Sequence, residues 1–290
     1  MDNIETFAVI GGDLRSSYLA KALANDGYKV ITAGFDATEL PVGVTGCTNP
    51  TQAVALADCV VLPMPVTTDG VTVNAPFSRS KIRLDAVLSE LRPHQKVFGG
   101  AVSAALNTEA QARGIMVWDY LLREELAIKN AVSTAEGAVQ LMMEELPTTV
   151  RDSRVLITGY GRIGKVLAQM LLLLGCRVTV AARKPSALAW AQTIGCSTVS
   201  LDRLSVGRYD VVFNTVPHLL FDRALLEQLD PNMLIIDLAS RPGGVDFSAA
   251  ADLGVKTIWA LSLPGKVAPQ TSGEIIRDTI VQMLREQSAR

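Results

Sequence analysis

The sequence is poor in residues that bind transition metals. It has two histidines, His94 and His218, and four cysteines, none of them in C-x-x-C spacing. Zinc sites are built mainly from these two residue types, so we expect no metal site. Cysteines scattered in this way are typical of a reduced cytoplasmic protein, and we predict no disulfide.

An excess of one charge and a long apolar run are also missing. The 27 Lys and Arg residues nearly balance the 29 Asp and Glu residues, which leaves a net charge of −2. Such a chain has no general attraction for nucleic acid or an anionic membrane. The most apolar segment, residues 166–182, is interrupted by Gln169 and Arg177, so we expect no membrane-spanning helix. Asp2 and Glu5 stand where a signal peptide would be basic, so we expect no leader.

The chain instead shows strand-like apolar runs that alternate with helical patterns. This alternation is typical of βαβ units and parallel sheets, and 290 residues suit two domains. We predict five strands in each domain. The predicted strands are residues 7–10, 29–33, 58–62, 96–98, 115–118, 154–158, 177–182, 211–216, 233–238 and 257–261.

A glycine motif opens the second half of the chain. Gly159, Gly161 and Gly164 form G-x-G-x-x-G directly after the apolar run 155–158 and before an apolar helical pattern. In this context the glycines permit a tight turn, approach of a pyrophosphate and close helix–strand packing. We therefore predict dinucleotide binding at the start of this helix, where free N–H groups favour an anion. The candidate residues are Gly159, Tyr160, Gly161, Arg162, Ile163 and Gly164.

The end of the next predicted strand bears on which dinucleotide binds. NAD sites place an acidic residue there to bind the ribose 2′-hydroxyl. Residues 180–186 contain no acid, and Arg183 and Lys184 are suited to a 2′-phosphate. The sequence favours NADP, with NAD as the alternative.

The first half repeats this pattern at an offset of 148 residues. Gly11 corresponds to Gly159 and Val30 to Val178, but Asp13 replaces Gly161. A carboxylate at that position would repel a pyrophosphate, so we expect the first domain to hold substrate instead.

These patterns predict an α/β fold with two Rossmann-like doubly wound parallel-sheet domains joined by linker helices. The predicted parts are an N-terminal flavodoxin- or Rossmann-like substrate domain (1–128), a linker helix (129–147), an NADP-binding domain (148–272) and a C-terminal helix (273–290) that packs back toward the first domain. We expect a cleft between the domains that closes like a hinge.

Polar segments that follow the predicted strands supply further candidates, because ligands of open α/β sheets bind outside the carboxyl ends of strands. We expect Asn214, Thr215, Val216 and Pro217 to pass the nicotinamide and Asp237 to bind the cofactor. Residues 263–273 are predicted to be a loop. The candidates for substrate binding or catalysis are Arg241, Ser240, Lys266, Glu136, Ser133, Thr134, Thr67, Thr68 and Ser103.

Five segments together resemble a known family over almost the whole chain. They are residues 8–13 (AVIGGD), 133–137 (STAEG), 159–164 (GYGRIG), 237–244 (DLASRPGG) and 263–273 (LPGKVAPQTSG). In this order and spacing they resemble the A subunits of dipicolinate synthase. The resemblance implies a sporulation enzyme of the mother-cell cytoplasm that oxidises dihydrodipicolinate with NADP. It also implies a partner, a flavoprotein-like B subunit, and a homo-oligomer is possible.

Other interpretations stay open. A D-2-hydroxyacid dehydrogenase has this two-domain outline, but such enzymes resemble one another in a late catalytic histidine, and none follows His218 here. A methylene-folate dehydrogenase is a more distant match. A non-catalytic NADP-binding regulatory subunit is the alternative from a different class.

Overall fold

A computed structural model describes residues 4–204, 209–230 and 232–288. The chain divides into two compact units. The first consists of Met1–Lys129 together with Ala268–Arg290, and the second of Asn130–Val267.

The first unit contains six described strands and five helices, the last of which continues into the second unit. The strands are β1 (Thr6–Ile10), β2 (Lys29–Ala33), β3 (Val44–Gly46), β4 (Cys59–Val61), β5 (Lys96–Gly99) and β6 (Val117–Asp119). The helices are α1 (Leu14–Asn25), α2 (Pro50–Ala55), α3 (Leu84–Glu90), α4 (Ala104–Ala112) and α5 (Glu124–Glu145).

The second unit repeats this architecture, and a final helix belongs to the first unit. Its described strands are β7 (Arg154–Thr158), β8 (Arg177–Ala182), β9 (Ser197–Ser200), β10 (Val211–Asn214), β11 (Leu234–Asp237) and β12 (Lys256–Trp259). Its helices are α6 (Arg162–Leu173), α7 (Pro185–Thr193), α8 (Arg223–Leu226), α9 (Phe247–Asp252) and α10 (Leu263–Val267), and the final helix is α11 (Pro269–Ser288).

Both sheets have the same strand order. The orders are β3-β2-β1-β4-β5-β6 and β9-β8-β7-β10-β11-β12, and every pairing is parallel. This is the doubly wound order in which the direction of winding reverses beside the first strand. The predicted fold class, with Rossmann-like parallel-sheet domains, is confirmed.

The central strands are buried on both faces. In β7, Val155 and Ile157 join one hydrophobic cluster, whereas Leu156 between them joins another. Because successive side chains of a strand point to opposite faces, a strand covered on both sides needs an uninterrupted apolar run. The sequence could therefore predict the central strands from such runs.

Two edge strands were missed because they lack this signal. The side chains of β3 and β9 are mostly exposed or half-buried, and the sequence of β9 is Ser-Thr-Val-Ser. The prediction that residues 263–273 form a loop is wrong: Leu263–Val267 is helical, and α11 begins at Pro269. Proline is tolerated in the first turn of a helix, where its missing N–H costs no hydrogen bond.

The final helix packs against α1 within the first unit. Ile276 and Ile280 of α11 share a buried cluster with Leu19 and Leu23 of α1. A Cβ atom at Gly273 would lie 2.6 Å from the carbonyl oxygen of Arg15 and 2.7 Å from the Leu19 nitrogen. Gly273 thus lets the two helix backbones approach closely.

No helix in the described part of the chain is long and apolar enough to cross a lipid bilayer.

Candidate nucleotide-binding and active site

The turn between β7 and α6 has the geometry that the glycine motif predicts. Gly159 adopts a left-handed backbone with φ of +91°, and a Cβ there would collide with the Thr215 hydroxyl. A Cβ at Gly164 would collide with the Gly159 carbonyl oxygen. Two glycines of the motif are therefore required by the packing of the turn itself.

Gly161 has a different environment. It is the N-cap of α6, and no side chain caps the helix there. A Cβ built on Gly161 would meet no described atom within 4 Å. The first amides of a helix have no partner within that helix, and they carry the positive end of its dipole. An anion can approach this helix end closely, so the residues present fit a pyrophosphate.

The equivalent helix of the first unit is capped by its own sequence. The Asp13 carboxylate accepts a hydrogen bond from the Arg15 backbone N–H at 3.0 Å and pairs with the Arg15 guanidinium at 2.8 Å. Arg15 also donates to the Met64 carbonyl at 3.0 Å. A carboxylate and its counter-ion thus occupy the position where α6 leaves space.

The side chains around Gly161 differ in burial. Tyr160 and Ile163 are half-buried against the core of the second unit, and burial raises the pKa of the Tyr160 hydroxyl above its ordinary value. Arg162 is exposed at the first position of α6.

The two basic residues after β8 are both exposed. Arg183 and Lys184 follow Ala182, the last residue of the strand, and Pro185 begins α7. Among the described residues neither basic side chain forms an ion pair. Both cations are available to a ligand, and no carboxylate stands at the end of this strand.

A buried polar row joins the carboxyl ends of three neighbouring strands. Thr158, Asn214 and Asp237 are 0% exposed. The Thr158 hydroxyl donates to Asn214 Oδ1 at 2.7 Å, and Asn214 Nδ2 donates to Asp237 Oδ1 at 2.8 Å. These side chains satisfy one another inside the protein, as buried polar groups must.

The row also holds the turn that follows β10. Asn214 Oδ1 accepts from the Val216 N–H at 3.1 Å, and its Nδ2 donates to the Val216 carbonyl at 3.0 Å. The Thr215 hydroxyl donates to the Thr158 carbonyl at 2.8 Å, whereas Pro217 is exposed. The structure thus places the Asn214 side chain where it shapes the turn and not where it faces solvent.

Asp237 anchors the loop that carries Arg241. Its Oδ1 accepts from the Ala239 N–H at 3.0 Å, and its Oδ2 accepts from the Gly244 N–H at 2.8 Å. The loop is therefore fixed at both ends, with Ser240 and Arg241 exposed between them.

Sequence reasoning missed Trp259, the last residue of β12. Its indole Nε1 donates to the Ala239 carbonyl at 3.1 Å, and its ring stacks on Phe247 with centroids 5.3 Å apart. The Arg241 guanidinium carbon lies over the Trp259 ring, 5.2 Å from its centroid. An aromatic residue at the end of the strand beside the Arg241 loop was the available signal.

The predicted residues of α5 and α10 are dispersed. Ser133 is buried, the Thr134 hydroxyl donates to the Asn130 carbonyl at 2.9 Å within α5, and Lys266 is exposed on α10. Glu136 is exposed and lines a groove of about 620 Å³ with Met170 and Leu173. Met170 and Leu173 belong to the C-terminal half of α6, so Glu136 does not lie with the glycine turn.

The predicted substrate residues of the first unit have local structural partners, except Thr68. The Thr67 hydroxyl donates to Asp69 at 3.1 Å, and Ser103 caps α4 by accepting from the Leu106 N–H at 3.2 Å. Thr68 is exposed. Hydrogen bonds from Thr72 and Val71 lower the pKa of the Asp69 carboxyl far below its ordinary value, which stabilises this turn.

No group of three or more His, Cys, Asp and Glu side chains within the described ranges is arranged to hold a metal ion.

Two family models match consecutive parts of the chain. Residues 6–121 match the N-terminal domain of the dipicolinate synthase A subunit. Residues 120–253 match the NAD-binding domain of D-isomer specific 2-hydroxyacid dehydrogenases. The second match includes the glycine turn and Arg183, so the second unit is a nicotinamide-dinucleotide-binding domain of the dehydrogenase type.

Known proteins match over almost the full length. The chain is 34% identical to the dipicolinate synthase A subunit of Bacillus subtilis (strain 168), over 96% of this chain and 95% of the relative. A crystal structure of the B. subtilis A subunit superposes with a TM-score of 0.88 at 32% identity, and covers 100% of this chain and 98% of that one. The A subunit from Bacillus halodurans gives a TM-score of 0.88 at 29% identity, with 97% of each chain covered.

A more distant structure shares the fold alone. A transhydrogenase from Sinorhizobium meliloti has a TM-score of 0.72 at 16% identity, over 97% of this chain and 94% of that one. The full-length identity to the B. subtilis protein decides the family, and the dehydrogenase-type domain gives the chain an oxidoreductase role. This chain belongs to the family of dipicolinate synthase A subunits.

Proposed function

We propose that this protein oxidises dihydrodipicolinate to dipicolinate with NADP, for the dipicolinate of spores. The observation that carries the proposal is the full-length similarity to the A subunit of a dipicolinate synthase. The reaction removes one hydride and one proton from a dihydropyridine ring that bears two carboxylates. The nicotinamide accepts the hydride, and the gain of aromaticity favours the forward direction.

The helix end at Gly161 would hold the pyrophosphate. Its open N-cap and unobstructed approach support this role. The turn at Thr215 and Val216, fixed by Asn214, would define the wall along which the dinucleotide extends. Arg183 and Lys184 would bind the 2′-phosphate, Arg183 through its planar fork of donors and Lys184 as a point charge.

The substrate carboxylates need cations or free N–H groups. Arg241 is exposed on a loop whose ends are fixed by Asp237, and a guanidinium can bind a carboxylate with two parallel hydrogen bonds. Ser240 beside it would add a neutral donor, and Lys266 a second cation. Orientation of the ring is the main contribution asked of these residues, because a fixed near-attack geometry lowers the barrier of hydride transfer.

The substitution Arg183→Asp tests the choice of dinucleotide. The introduced carboxylate would repel a 2′-phosphate and accept a hydrogen bond from a 2′-hydroxyl, so the preference should move from NADP toward NAD by about 10-fold or more. Dissociation constants for both nucleotides, measured by calorimetry, would show this change. An unaltered ratio would contradict the 2′-phosphate assignment.

An absorbance assay on the purified protein tests the reaction. Dihydrodipicolinate generated in situ should yield an ultraviolet-absorbing pyridine dicarboxylate with an equal amount of NADPH. Arg241→Ala should lower kcat/KM by about 10-fold to 100-fold, because a charge-assisted hydrogen bond is lost. Normal nucleotide binding without turnover, with and without partner, would favour a regulatory role instead.

A partner belongs to the proposal. The designation of the relative by the letter A implies a B subunit, for which we expect a flavoprotein-like fold and action in the mother-cell cytoplasm. Co-purification of the two tagged proteins tests this association, and separate elution at micromolar concentration would contradict it.

A 2-hydroxyacid dehydrogenase is the second candidate, because residues 120–253 match that family's NAD-binding domain. Alcohol oxidation requires a base for the hydroxyl proton, and no histidine follows His218 in the sequence. Turnover of D-2-hydroxy acids, without turnover of dihydrodipicolinate, would support this second function.

A further inference from the structure

Arg241 is an exposed side chain with one described contact that fixes its direction. Its guanidinium lies over the Trp259 ring, and no ion pair among the described residues involves it. A free arginine side chain samples many rotamers, and fixing them on binding a ligand costs free energy of about 2 kcal/mol. The indole contact reduces the number of rotamers before a ligand arrives.

Trp259 is itself held in place. Its Nε1 donates to the Ala239 carbonyl at 3.1 Å, and Phe247 stacks on the ring at an interplanar angle of 22°. Gly243 packs so closely that a Cβ there would lie 3.3 Å from two carbons of the indole. Ala239 and Gly243 flank Arg241 in the same loop, so the indole is fixed to the backbone that carries the guanidinium.

An aromatic partner has a consequence that an acidic partner lacks. A carboxylate would occupy the in-plane N–H donors of Arg241 and reduce its charge toward a ligand. An aromatic ring contacts the flat face of the guanidinium and leaves the donors at its edge available. The arrangement therefore restrains Arg241 without using the groups that recognise a carboxylate.

We propose that Trp259 is a positioning residue that holds Arg241 ready for a carboxylate of the substrate. The inference rests on the proposed function, in which Arg241 binds a dicarboxylate. Trp259 acts through Arg241, so its contribution to binding exists only while the arginine is present.

A double-mutant cycle with dipicolinate as the probe tests this coupling. Binding to the full-length protein with saturating NADP is measured by calorimetry for wild type, Trp259→Leu, Arg241→Ala and the double variant. We expect Arg241→Ala to weaken binding by about 10-fold to 100-fold and Trp259→Leu by about 3-fold to 10-fold. In the Arg241→Ala background, Trp259→Leu should have no further effect.

Two further variants separate positioning from general packing. Trp259→Phe keeps an aromatic face but loses the hydrogen bond to Ala239, and it should recover most of the affinity lost in Trp259→Leu. Trp190→Leu is the matched control, since Trp190 is 66% exposed on α7, and it should bind as wild type does. In steady-state assays Trp259→Leu should raise KM more than it lowers kcat.

The outcomes are distinguishable. If Arg241→Ala leaves dipicolinate binding unchanged, the proposed function of this loop fails. If Arg241→Ala weakens binding while Trp259→Leu weakens it equally with and without Arg241, only the positioning role of Trp259 is overturned. Trp259→Leu binding that equals wild type also overturns it, and if that variant does not fold, the Trp259→Phe cycle decides in the same way.

Discussion

At the scale of single residues, Gly161 and Gly164 lie in one turn but are needed for different reasons. Gly164 faces the Gly159 carbonyl, whereas Gly161 faces open space. We expect Gly164→Ala to lower the free energy of unfolding by about 1–3 kcal/mol, because the added methyl overpacks the helix against the turn. Thermal or urea unfolding measures this loss.

Gly161→Ala should have the opposite profile. Its backbone has a φ of −87°, which alanine adopts readily, so stability should match wild type. The methyl group would stand where a pyrophosphate approaches, and we expect NADP binding at least about 10-fold weaker. Unimpaired NADP affinity in a well-folded Gly161→Ala protein would contradict the location of the pyrophosphate.

Asp210 offers a test of pH dependence. It accepts hydrogen bonds from the backbone and side chain of Arg154, each at 2.7 Å, and the side-chain bond lowers the pKa of its carboxyl. A depressed folded-state pKa adds stability that is complete above the unfolded pKa of about 3.9 and is lost as the pH falls through the folded value. Asp210→Asn should therefore cost about 1 kcal/mol or less at neutral pH, and the difference should disappear toward about pH 2.

Urea unfolding at several pH values measures this difference. Asp152→Asn is the control, because the Asp152 carboxylate lies 3.7 Å from Arg177 and both side chains are largely exposed. A destabilisation by Asp210→Asn that grows as the pH falls below about 4 would contradict the assigned direction.

The residue scale also shows what the sequence could predict of the site. The glycine turn follows from spacing alone, since each glycine answers a local steric demand. The roles of Asn214 and Asp237 depend on hydrogen bonds between residues 23 positions apart. Their positions after two strands were predictable, but the direction of their side chains follows from the register of the sheet, which pairs Asn214 with both Thr158 and Asp237.

At the scale of elements, α1 and α6 show how one framework serves two uses. Both helices have 12 residues and begin after a glycine turn at the 148-residue offset. In α1 the positive end of the helix is neutralised by Asp13, and in α6 it is left to a ligand. A single side chain thus decides whether the helix end is a structural cap or an anion site.

The contact between α11 and α1 gives a prediction at this scale. A Cβ at Gly273 would press on the backbone of Arg15 and Leu19, which cannot move without shifting α1. We expect Gly273→Ala to lower the free energy of unfolding of the first unit by about 1–3 kcal/mol. Thr271→Ala, at an exposed position of the same helix, is the control and should change stability by less than about 0.5 kcal/mol.

Hydrogen exchange would report where the loss occurs. Protection should fall in α1 and β1 of the Gly273→Ala variant, while β7 and α6 keep theirs. Equal loss in both sheets would contradict the assignment of α11 to the first unit.

Elements with a weak apolar signal limited the prediction of the fold. Central strands such as β7 were visible as apolar runs, whereas β9 is a polar edge strand. Residues 263–273 resembled a loop because they contain two prolines and two glycines. Each proline lies within the first two positions of a helix, and Gly273 serves a close helix contact, so tertiary packing decided their conformation.

At the scale of the whole molecule, the two units should respond differently to nucleotide. A ligand that binds one folded unit stabilises that unit by mass action, by about 2.7 kcal/mol at 100 times its dissociation constant. We expect NADP to raise the unfolding temperature of residues 130–267 and to leave the transition of the first unit unchanged. Scanning calorimetry with domain-specific hydrogen exchange measures both, and the Gly161→Ala protein should lose the effect.

Equal stabilisation of both transitions by NADP would contradict a nucleotide site confined to the second unit. The Asp13 cap of α1 is the structural reason for expecting the first unit to be insensitive.

The discontinuous first unit has a consequence for biosynthesis. A ribosome delivers β1 through β6 early, yet the side chains of Ile276 and Ile280 that complete their core arrive last, after the entire second unit. The second unit can therefore reach its native state while the nascent chain is still tethered. The first must wait with an uncovered apolar face, which makes it the part of the newborn polypeptide that most needs a chaperone.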